Sequence, residues 1–213
     1  MISAILMMAG SGSRMHMQES KVYLSLGEKK VFEYPLNLFL SLNLEVICVI
    51  RPEDRIHLLE YEGKVKIVYG GNTRQKSVFN GLKAAEGEYV LIHDAARPFI
   101  SKKIIEKCIA ALKEDKACLV VAPCKDSLYC KTPFSSVARE QMVLAQTPQG
   151  GRTKDFLEVH LKAQEEKFST TDDISLLMRY KDTMIQLVES DDHNFKITTQ
   201  LDYITAKEFV KYV

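Results

Sequence analysis

Short apolar runs alternate with amphipathic stretches along most of the chain. The apolar runs have the length of strands, whereas the stretches between them repeat apolar residues with the period of a helix. Strands are predicted at residues 2–8, 45–50, 64–69, 88–93, 117–122 and 184–188, and helices at 31–42, 55–61, 74–85, 102–113, 153–165, 172–180 and 201–212. Strands separated by helices are typical of an α/β fold with a doubly wound, mostly parallel sheet of the Rossmann-like type.

Residues 124–150 interrupt this alternation. Pro123 ends the regular pattern, and the segment after it contains Pro133, two serines and short β-like pieces, which indicates an excursion from the core of the sheet. No internal repeat, low-complexity stretch or linker marks a second domain, and 213 residues suit one α/β domain. We therefore expect a single domain over residues 1–213, with the excursion at about 124–150.

The composition is that of a globular protein, with 46% apolar residues, 27% charged residues and a formal net charge of +1. This balance gives no reason to expect nucleic acid or a membrane surface as a partner, and no segment approaches the length of a membrane span. Five cysteines form no CxxC pair, and most lie in apolar patterns, so we expect reduced thiols in a cytoplasmic protein. The apolar N-terminus lacks the basic region of a secretion signal, and a buried first strand fits it better.

The first predicted strand is followed by a glycine-rich turn with two cations nearby. Gly10 and Gly12 allow backbone N–H groups to crowd around an anion, and Arg14 and Lys21 place positive charge beside it. The turn lacks the third glycine of the dinucleotide fingerprint and the Gly-Lys-Ser/Thr end of a Walker loop. It indicates a nucleoside triphosphate at the end of the sheet, although an ordinary strand-to-helix turn with solvated charges has the same short pattern.

Polar clusters follow two further predicted strands. The segment 71–74, with Ser77 one turn into the next helix, follows the third strand, and the segment 93–98 follows the fourth. Taken separately, the glycines could form a turn only, and Asp94 with Arg97 could be a structural ion pair. However, the carboxyl ends of parallel strands meet at one edge of the sheet, where ligands bind. Three clusters that mix an acid with cations at that edge favour a site for a nucleotide and Mg²⁺.

Five motifs, taken in order, carry a resemblance to a known family. They are Gly10-Ser-Gly-Ser-Arg14 with Lys21, Gly71-Asn-Thr-Arg-Gln-Lys-Ser77-Val78, His93-Asp-Ala-Ala-Arg-Pro98, Gln146-Thr-Pro-Gln149 and Asn194-Phe-Lys-Ile-Thr198. The set resembles the 2-C-methyl-D-erythritol 4-phosphate cytidylyltransferases of the non-mevalonate isoprenoid pathway over nearly the whole chain. The resemblance implies a nucleotidyltransferase fold and the transfer of CMP from CTP to 2-C-methyl-D-erythritol 4-phosphate, with release of pyrophosphate.

The related ribitol-5-phosphate cytidylyltransferases share most of these motifs. They typically carry Ser-Val where this chain has Ala95-Ala96, so that pair favours the erythritol phosphate as acceptor. Another sugar or polyol phosphate as acceptor remains an alternative, as does an inactive nucleotide-binding or scaffold protein on the same fold. An inactive copy would be expected to lose the cations first, and this chain keeps them.

The resemblance assigns roles to residues at both ends of the chain. It implies that Arg14, Lys21 and Lys196 are the catalytic cations that act on the triphosphate. The nucleotide-binding residues that it implies are Ala9, Gly10, Gly12, Gly71, Asn72, Ser77 and Asp94. Asp94 is also the candidate ligand of Mg²⁺ or another divalent cation, which would be bound mainly through the phosphates of CTP. His93 receives no catalytic role.

The excursion at 124–150 also acquires a role through the resemblance. In the family this region is an extended β-arm that crosses to a second subunit, so the resemblance implies a homodimer. The residues implied to bind the sugar phosphate are Asp94, Arg97, Ser127, Arg139 and Thr147. A monomer whose arm folds back as a hairpin is the alternative.

Several positions depart from the residue that the family leads us to expect. Ser20 stands where proline is usual, Val22 where glutamine is usual, Met8 where a small residue is usual, Asn72 where an acid is usual, and Ser127 where threonine is usual. Without the proline, the glycine-rich turn is less constrained before ligand binding. The change to methionine affects base selectivity only if its side chain faces the base.

Overall fold

The computed structural model describes residues 1–10 and 20–212, so Gly12 and Arg14 lie outside the described residues. The strands are β1 (Ile2–Met7), β2 (Ser25–Leu26), β3 (Lys29–Lys30), β4 (Glu45–Ile50), β5 (Lys66–Tyr69), β6 (Tyr89–Asp94), β7 (Ala117–Pro123), β8 (Leu128–Lys131), β9 (Phe134–Val137), β10 (Val143–Arg152) and β11 (Ile185–Glu189). The helices are α1 (Glu33–Ser41), α2 (Arg74–Ala84), α3 (Lys102–Lys113), α4 (Thr153–Glu165), α5 (Ile174–Tyr180) and α6 (Gln200–Phe209).

Within the described residues, seven strands form one sheet in the order β11-β7-β10-β6-β1-β4-β5. Strand β1 pairs in parallel with β4 and β6, β4 pairs in parallel with β5, and β7 pairs in parallel with β11. Strand β10 runs antiparallel to its two neighbours in this sheet, β6 and β7. The predicted doubly wound, mostly parallel α/β sheet is confirmed.

Alternate residues of the central strands face two separate cores. Leu6 and Cys48 belong to a cluster that includes Phe39 of α1 and residues of α3. Their neighbours Ile5 and Ile47 belong to a second cluster, formed with residues of α2, α4 and α5. Because successive side chains of a strand point to opposite faces, helices cover both faces of the sheet. Strands buried on both faces read as continuous apolar runs, which is the pattern found in the sequence.

The C-terminal region packs beside the turn that carries Lys21. A third buried cluster includes Leu26 of β2, Ala206 of α6 and Ile197, which precedes α6. The hydroxyl of Tyr203 donates to the carbonyl oxygen of Ser25 at 2.5 Å. Residues near the two ends of the chain are thereby held on the same side of the sheet.

The region 124–150 divides into two parts. Its first part contains the β8–β9 hairpin, which forms a two-stranded sheet of its own. Its last part belongs to β10, which lies between β6 and β7 inside the large sheet, where the sequence predicts no core strand. Pro148, Gly150 and Gly151 are residues typical of turns or strand irregularities. In the structure, a Cβ on Gly150 would lie 2.7 Å from Cδ2 of Leu91, so strand packing requires the glycine.

Two predicted helices differ from the structure in type or length. The helix predicted at 55–61 is a 3-10 helix over Pro52–Tyr61, which begins with a proline at a position that proline favours. The last helix ends at Phe209 and continues as a short 3-10 turn, Val210–Tyr212.

The cysteines and helices agree with part of the sequence interpretation. Cys48, Cys108 and Cys118 are buried free thiols, as expected for core residues. Cys124 is half-buried and Cys130 is exposed, so these two are not core residues. Among the helices in the described ranges, none has the length and apolar character needed to cross a bilayer.

Candidate active site

A cavity of about 520 Å³ lies at the carboxyl ends of four neighbouring strands, β6, β1, β4 and β5. Its wall is made by the loops that follow these strands, together with the turn at Lys21 and the segment around Lys196. The predicted site residues that line it are Ala9, Gly10, Lys21, Gly71, Asn72, Ser77, Asp94 and Lys196. Because the carboxyl ends of parallel strands meet at one edge of the sheet, residues from distant parts of the sequence line one cavity.

Lys196 reaches this cavity because the residues around it are anchored on β10 and on the loop after β6. Asn194 is fully buried, and its side-chain amide donates to the carbonyl oxygen of Thr147 at 3.0 Å. The backbone N–H of Ile197 donates to the carbonyl oxygen of Ala96 at 2.8 Å. Lys196 lies between these two anchors, so its side chain is directed toward the end of β6.

Asp94 is a buried carboxylate surrounded by cations. The ammonium Nζ of Lys196 lies 2.7 Å from its Oδ2. Burial alone would raise the pKa of Asp94, but the charges of Lys196, Arg74 and Arg97 outweigh burial and lower this pKa to about 2. At neutral pH, Asp94 is therefore ionised and can pair with Lys196 or serve as a ligand of a divalent cation.

His93 and Thr147 form a hydrogen-bonded support beneath Asp94. The backbone N–H of Asp94 donates to Oγ1 of Thr147 at 3.1 Å, and this hydroxyl lies 3.1 Å from Nδ1 of His93. The other ring nitrogen, Nε2, lies 3.2 Å from the carbonyl oxygen of Arg97. These contacts fit a neutral imidazole that carries its proton on Nε2. Burial lowers the pKa of His93 to about 4, which agrees with a structural role.

Ser77 shapes the loop that follows β5. The backbone N–H of Gly71 donates to Oγ of Ser77 at 3.0 Å, and the hydroxyl donates to the carbonyl oxygen of Thr73 at 2.9 Å. A Cβ on Gly71 would overlap the side chain of Lys76, so packing within the loop already requires the glycine. A Cβ on Gly10 would meet no atom of residues 1–10 and 20–212 within 4 Å, so this part of the chain leaves space beside its backbone for a ligand.

Three residues that depart from the family pattern lie next to the first strand end. Met8 is fully buried and packs in the same core cluster as Val22. The side chain of Met8 is therefore a core side chain. The hydroxyl of Ser20 donates to the carbonyl oxygen of Gly10 at 3.2 Å, which links the described residues on either side of 11–19.

The structure does not place four predicted substrate-binding residues on the wall of this cavity, as far as the described residues form it. Thr147 is buried beneath Asp94. Arg97 is also buried, and its Nη1 donates to the carbonyl oxygen of Asn194 at 2.7 Å. Ser127 and Arg139 are exposed near the β8–β9 hairpin. A sugar phosphate in this cavity would therefore meet Ser127 and Arg139 only from another chain or after rearrangement.

Two arginines that the sequence interpretation gave no role line the cavity. Arg51 follows β4 directly, and its Nε lies 2.8 Å from Oδ2 of the buried Asp54. Arg74 begins α2, and its Nη2 lies 2.8 Å from Oδ2 of the buried Asp173. Both arginines lie at or just beyond the carboxyl end of a strand. The rule that ligands bind at strand ends already places Arg74 in the cluster 71–74, and it could have found Arg51 as well.

The residues present can supply only part of a metal site. In the ranges 1–10 and 20–212, no group of three or more His, Cys, Asp or Glu side chains is arranged to hold a metal ion. Asp94 is a single ionised carboxylate on the cavity wall. Mg²⁺ commonly uses one or two carboxylates together with substrate phosphates and water. The donor set therefore fits a divalent cation that arrives with a phosphate-bearing ligand.

Comparisons with known proteins agree with the resemblance found in the sequence. Residues 2–212 match the family profile described as 2-C-methyl-D-erythritol 4-phosphate cytidylyltransferase. The curated protein of this name from Aquifex aeolicus is 38% identical, and the alignment covers 99% of this chain and 98% of that protein. The one from Clostridium beijerinckii is 37% identical, with full coverage of both. The crystal structure of 4-diphosphocytidyl-2C-methyl-D-erythritol synthase from Anaerococcus prevotii is 32% identical, with a TM-score of 0.87 and coverage of 99% of this chain and 98% of that one.

Proposed function

Because the chain belongs to the 2-C-methyl-D-erythritol 4-phosphate cytidylyltransferase family, we propose that it transfers CMP from CTP to 2-C-methyl-D-erythritol 4-phosphate and releases pyrophosphate. The observation that carries the proposal is the cavity at the strand ends. It combines the backbone of Gly10, beside which the described residues leave space, with the Lys196–Asp94 pair and the Lys21 turn. A nucleoside triphosphate needs this combination of close backbone approach and positive charge.

The chemistry requires positioning and charge rather than a strong base. A phosphate oxygen of the acceptor forms a bond to the α-phosphorus of CTP, and the bond from that phosphorus to the bridging oxygen of pyrophosphate breaks. The nucleophile is already an anion, so the protein must hold two polyanions together and stabilise the charge that develops at phosphorus. We assign this task to Lys21 and Lys196, with Arg14 as a third cation on the sequence resemblance alone.

Asp94 is the proposed protein ligand of the divalent cation, which we take to be Mg²⁺. Its low pKa keeps it ionised, and it lies on the cavity wall. The cation would neutralise charge on the triphosphate and be held mainly by phosphate oxygens. Asp94 would hold the cation, and the ammonium of the neighbouring Lys196 is assigned to the α-phosphate.

The nucleoside is proposed to lie between the first and third strand ends. Ala9, Gly10 and Gly71 offer backbone groups, and Asn72 offers one amide oxygen and one NH₂ group to the base or ribose. Ser77 is engaged with the loop backbone, so we propose that it acts by holding Gly71 in place.

The acceptor is proposed to bind between two subunits of a homodimer. Arg97 and Thr147 would contribute to the acceptor site through the loop that they support, and Ser127 and Arg139 would reach it from the partner's arm. The β8–β9 hairpin supports the proposed homodimer, because its Tyr129 is 59% exposed in the single chain. An isolated two-stranded hairpin is marginal in water and usually needs a surface to pack on.

We place the enzyme in the cytoplasm. The five cysteines are all free thiols, which fits a reducing compartment. Expression of a fluorescent fusion followed by cell fractionation would test the assignment.

Pyrophosphate release tests the proposed function. The purified protein is supplied with CTP and Mg²⁺, and separately with 2-C-methyl-D-erythritol 4-phosphate or ribitol 5-phosphate. We expect rapid release with the erythritol phosphate and at most slow release with the ribitol phosphate. Faster release with ribitol 5-phosphate would overturn the acceptor, and no release with either would overturn the proposed activity.

A further inference from the structure

Arg51 occupies a central place in the cavity wall. It directly follows β4, which lies between β1 and β5 in the sheet. The loops after those two strands carry Gly10 and Gly71, the residues proposed to approach the base. A side chain at the end of the middle strand therefore faces the space between the two base-binding loops. Arg51 lines the same cavity as both glycines.

Asp54 fixes the direction of the Arg51 guanidinium. Nε of Arg51 donates to Oδ2 of Asp54 at 2.8 Å, and Nη2 donates to Oδ1 at 2.8 Å. The backbone N–H of Asp54 also donates to the carbonyl oxygen of Arg51 at 3.0 Å, so both residues belong to one tight turn. Asp54 is only 4% exposed. A bidentate contact with a buried carboxylate leaves the guanidinium little rotational freedom.

The guanidinium keeps donors for a ligand after this contact. A guanidinium has five N–H groups, and the contact with Asp54 uses two of them. Nη1 lies 3.4 Å from Oε1 of the exposed Glu53. Because Asp54 compensates its charge, Arg51 acts more as a directed donor than as a free cation. A directed donor suits a neutral base, whereas Lys21 and Lys196 suit the phosphates.

We propose that Arg51 is a specificity-determining residue that donates to the O2 and N3 acceptors of cytosine, and that Asp54 is its positioning residue. The inference rests on the proposed function for the identity of the nucleotide. Uracil carries a hydrogen at N3, so a uracil nucleotide would place a donor against the fixed donors of Arg51. A ligand that places a donor opposite a fixed donor of the protein leaves that donor unpaired, so the protein strongly prefers a similar ligand with an acceptor there. Arg51 would therefore favour CTP over UTP.

Equilibrium binding of CTP and UTP, measured by titration calorimetry with Mg²⁺, tests the proposal. Arg51→Lys keeps a charge beside Asp54 but lacks the planar fork, and Arg51→Met lacks all donors. We expect the ratio of CTP to UTP affinity to fall about tenfold or more in both variants, through weaker binding of CTP. The matched control is Arg55→Met, in the same 3-10 helix, because Arg55 is exposed, pairs with Glu62 and does not line the cavity.

Asp54→Asn tests the positioning role separately. Asparagine keeps the shape of the side chain and loses the charge that orients Arg51. We expect KM for CTP to rise and the CTP preference to fall, with kcat at saturating CTP changed less than about threefold. A change in thermal unfolding temperature alone, without loss of nucleotide preference, would mean that Asp54 serves only the stability of the turn.

The outcomes separate this inference from the proposed function. If the unmodified protein binds CTP and UTP equally, or if folded Arg51→Lys retains the full preference for CTP, the inference is wrong. If the unmodified protein prefers CTP, loses that preference in the Arg51 variants and yet transfers CMP to neither phosphate, the inference stands and the proposed function fails.

Discussion

The ammonium of Lys196 and the carboxylate of Asp94 lie 2.7 Å apart, although 102 positions separate them in the sequence. The pair joins the end of β6 to the segment before α6. Because burial would favour the neutral acid, Asp94 depends on this and other cations to remain charged. The segment that carries Lys196 therefore adds positive charge to the cavity and helps to keep Asp94 ionised.

Lys196→Met should lower kcat by about 100-fold or more. A fixed charge that stabilises the transition state typically contributes this much, and methionine keeps the length of the side chain without the ammonium. KM for CTP should rise less than kcat falls, because Lys21 remains on the same wall. Steady-state pyrophosphate release measures both constants. Lys207→Met in α6 is the matched control, and a Lys196→Met enzyme within threefold of normal kcat would remove Lys196 from the catalytic set.

Much of the nucleotide half of the site could be predicted from sequence. The glycines, Asn72 and Asp94 follow apolar runs, and strand ends in a parallel sheet meet at one edge. The contact of Lys196 with Asp94 could not be derived in that way. It depends on Asn194 and Ile197 binding a loop about a hundred residues earlier, and such long-range contacts leave no periodic pattern.

The interior strand β10 shows the same limit of prediction from sequence. Strand β10 contains Pro148 and two glycines, which locally indicate a turn. Its place between β6 and β7 depends on how closely neighbouring side chains approach, and only the assembled sheet reveals that distance. Arg51 is a different case, since its position after β4 was visible in the sequence and its pairing with Asp54 was not.

His93 should make the protein less stable as the pH falls from 6.5 toward 4. Its folded pKa is lowered to about 4, against an ordinary value of 6.5, because the ring is buried. Between pH 6.5 and 4, the unfolded chain therefore binds a proton at His93 that the folded chain does not bind. The stability is fully present above pH 6.5 and is lost as the pH falls. The loss between about pH 7 and 4.5 should be about 2 kcal/mol.

Urea unfolding at several pH values measures this loss. The comparison variant is His93→Gln, since glutamine can accept from the Thr147 hydroxyl and donate to the Arg97 carbonyl but does not titrate. We expect His93→Gln to be less stable at pH 7 and to have a flatter pH dependence above pH 4.5. If the free energy of unfolding changes equally steeply with pH in the two proteins, the pKa of His93 is not lowered in the folded state.

Phe134→Asp should separate the proposed dimer without unfolding the subunit. Phe134 is 79% exposed and stacks on Tyr129, with ring centroids 5.2 Å apart. A charge there would have to be desolvated in an interface, whereas in a monomer it remains in water. Sedimentation equilibrium measures the assembly state, and Met178→Asp is the control, because Met178 of α5 is also an exposed apolar residue. A dimer unaffected by Phe134→Asp would exclude the hairpin from the interface.

Mixing two inactive variants tests whether the proposed site is shared between subunits. Lys21 lines the cavity of its own chain, whereas Arg139 is exposed near the hairpin and would serve the partner's cavity. In a mixed dimer of Lys21→Ala and Arg139→Ala subunits, both lesions then fall in one site and the other site is intact. With equal amounts and random exchange, half of the dimers are mixed, so about a quarter of the sites should recover.

The matched control mixes Lys21→Ala with Lys196→Ala. These two residues line the same cavity within one chain, so each subunit of a mixed dimer keeps a lesion in its own site. We therefore expect recovery in the first mixture and none in the second, with subunit exchange followed by differently tagged chains. If exchange occurs and neither mixture recovers activity, Arg139 acts within its own subunit. The arm must then fold back toward its own cavity, which would require the exposed hairpin to move from the position found here.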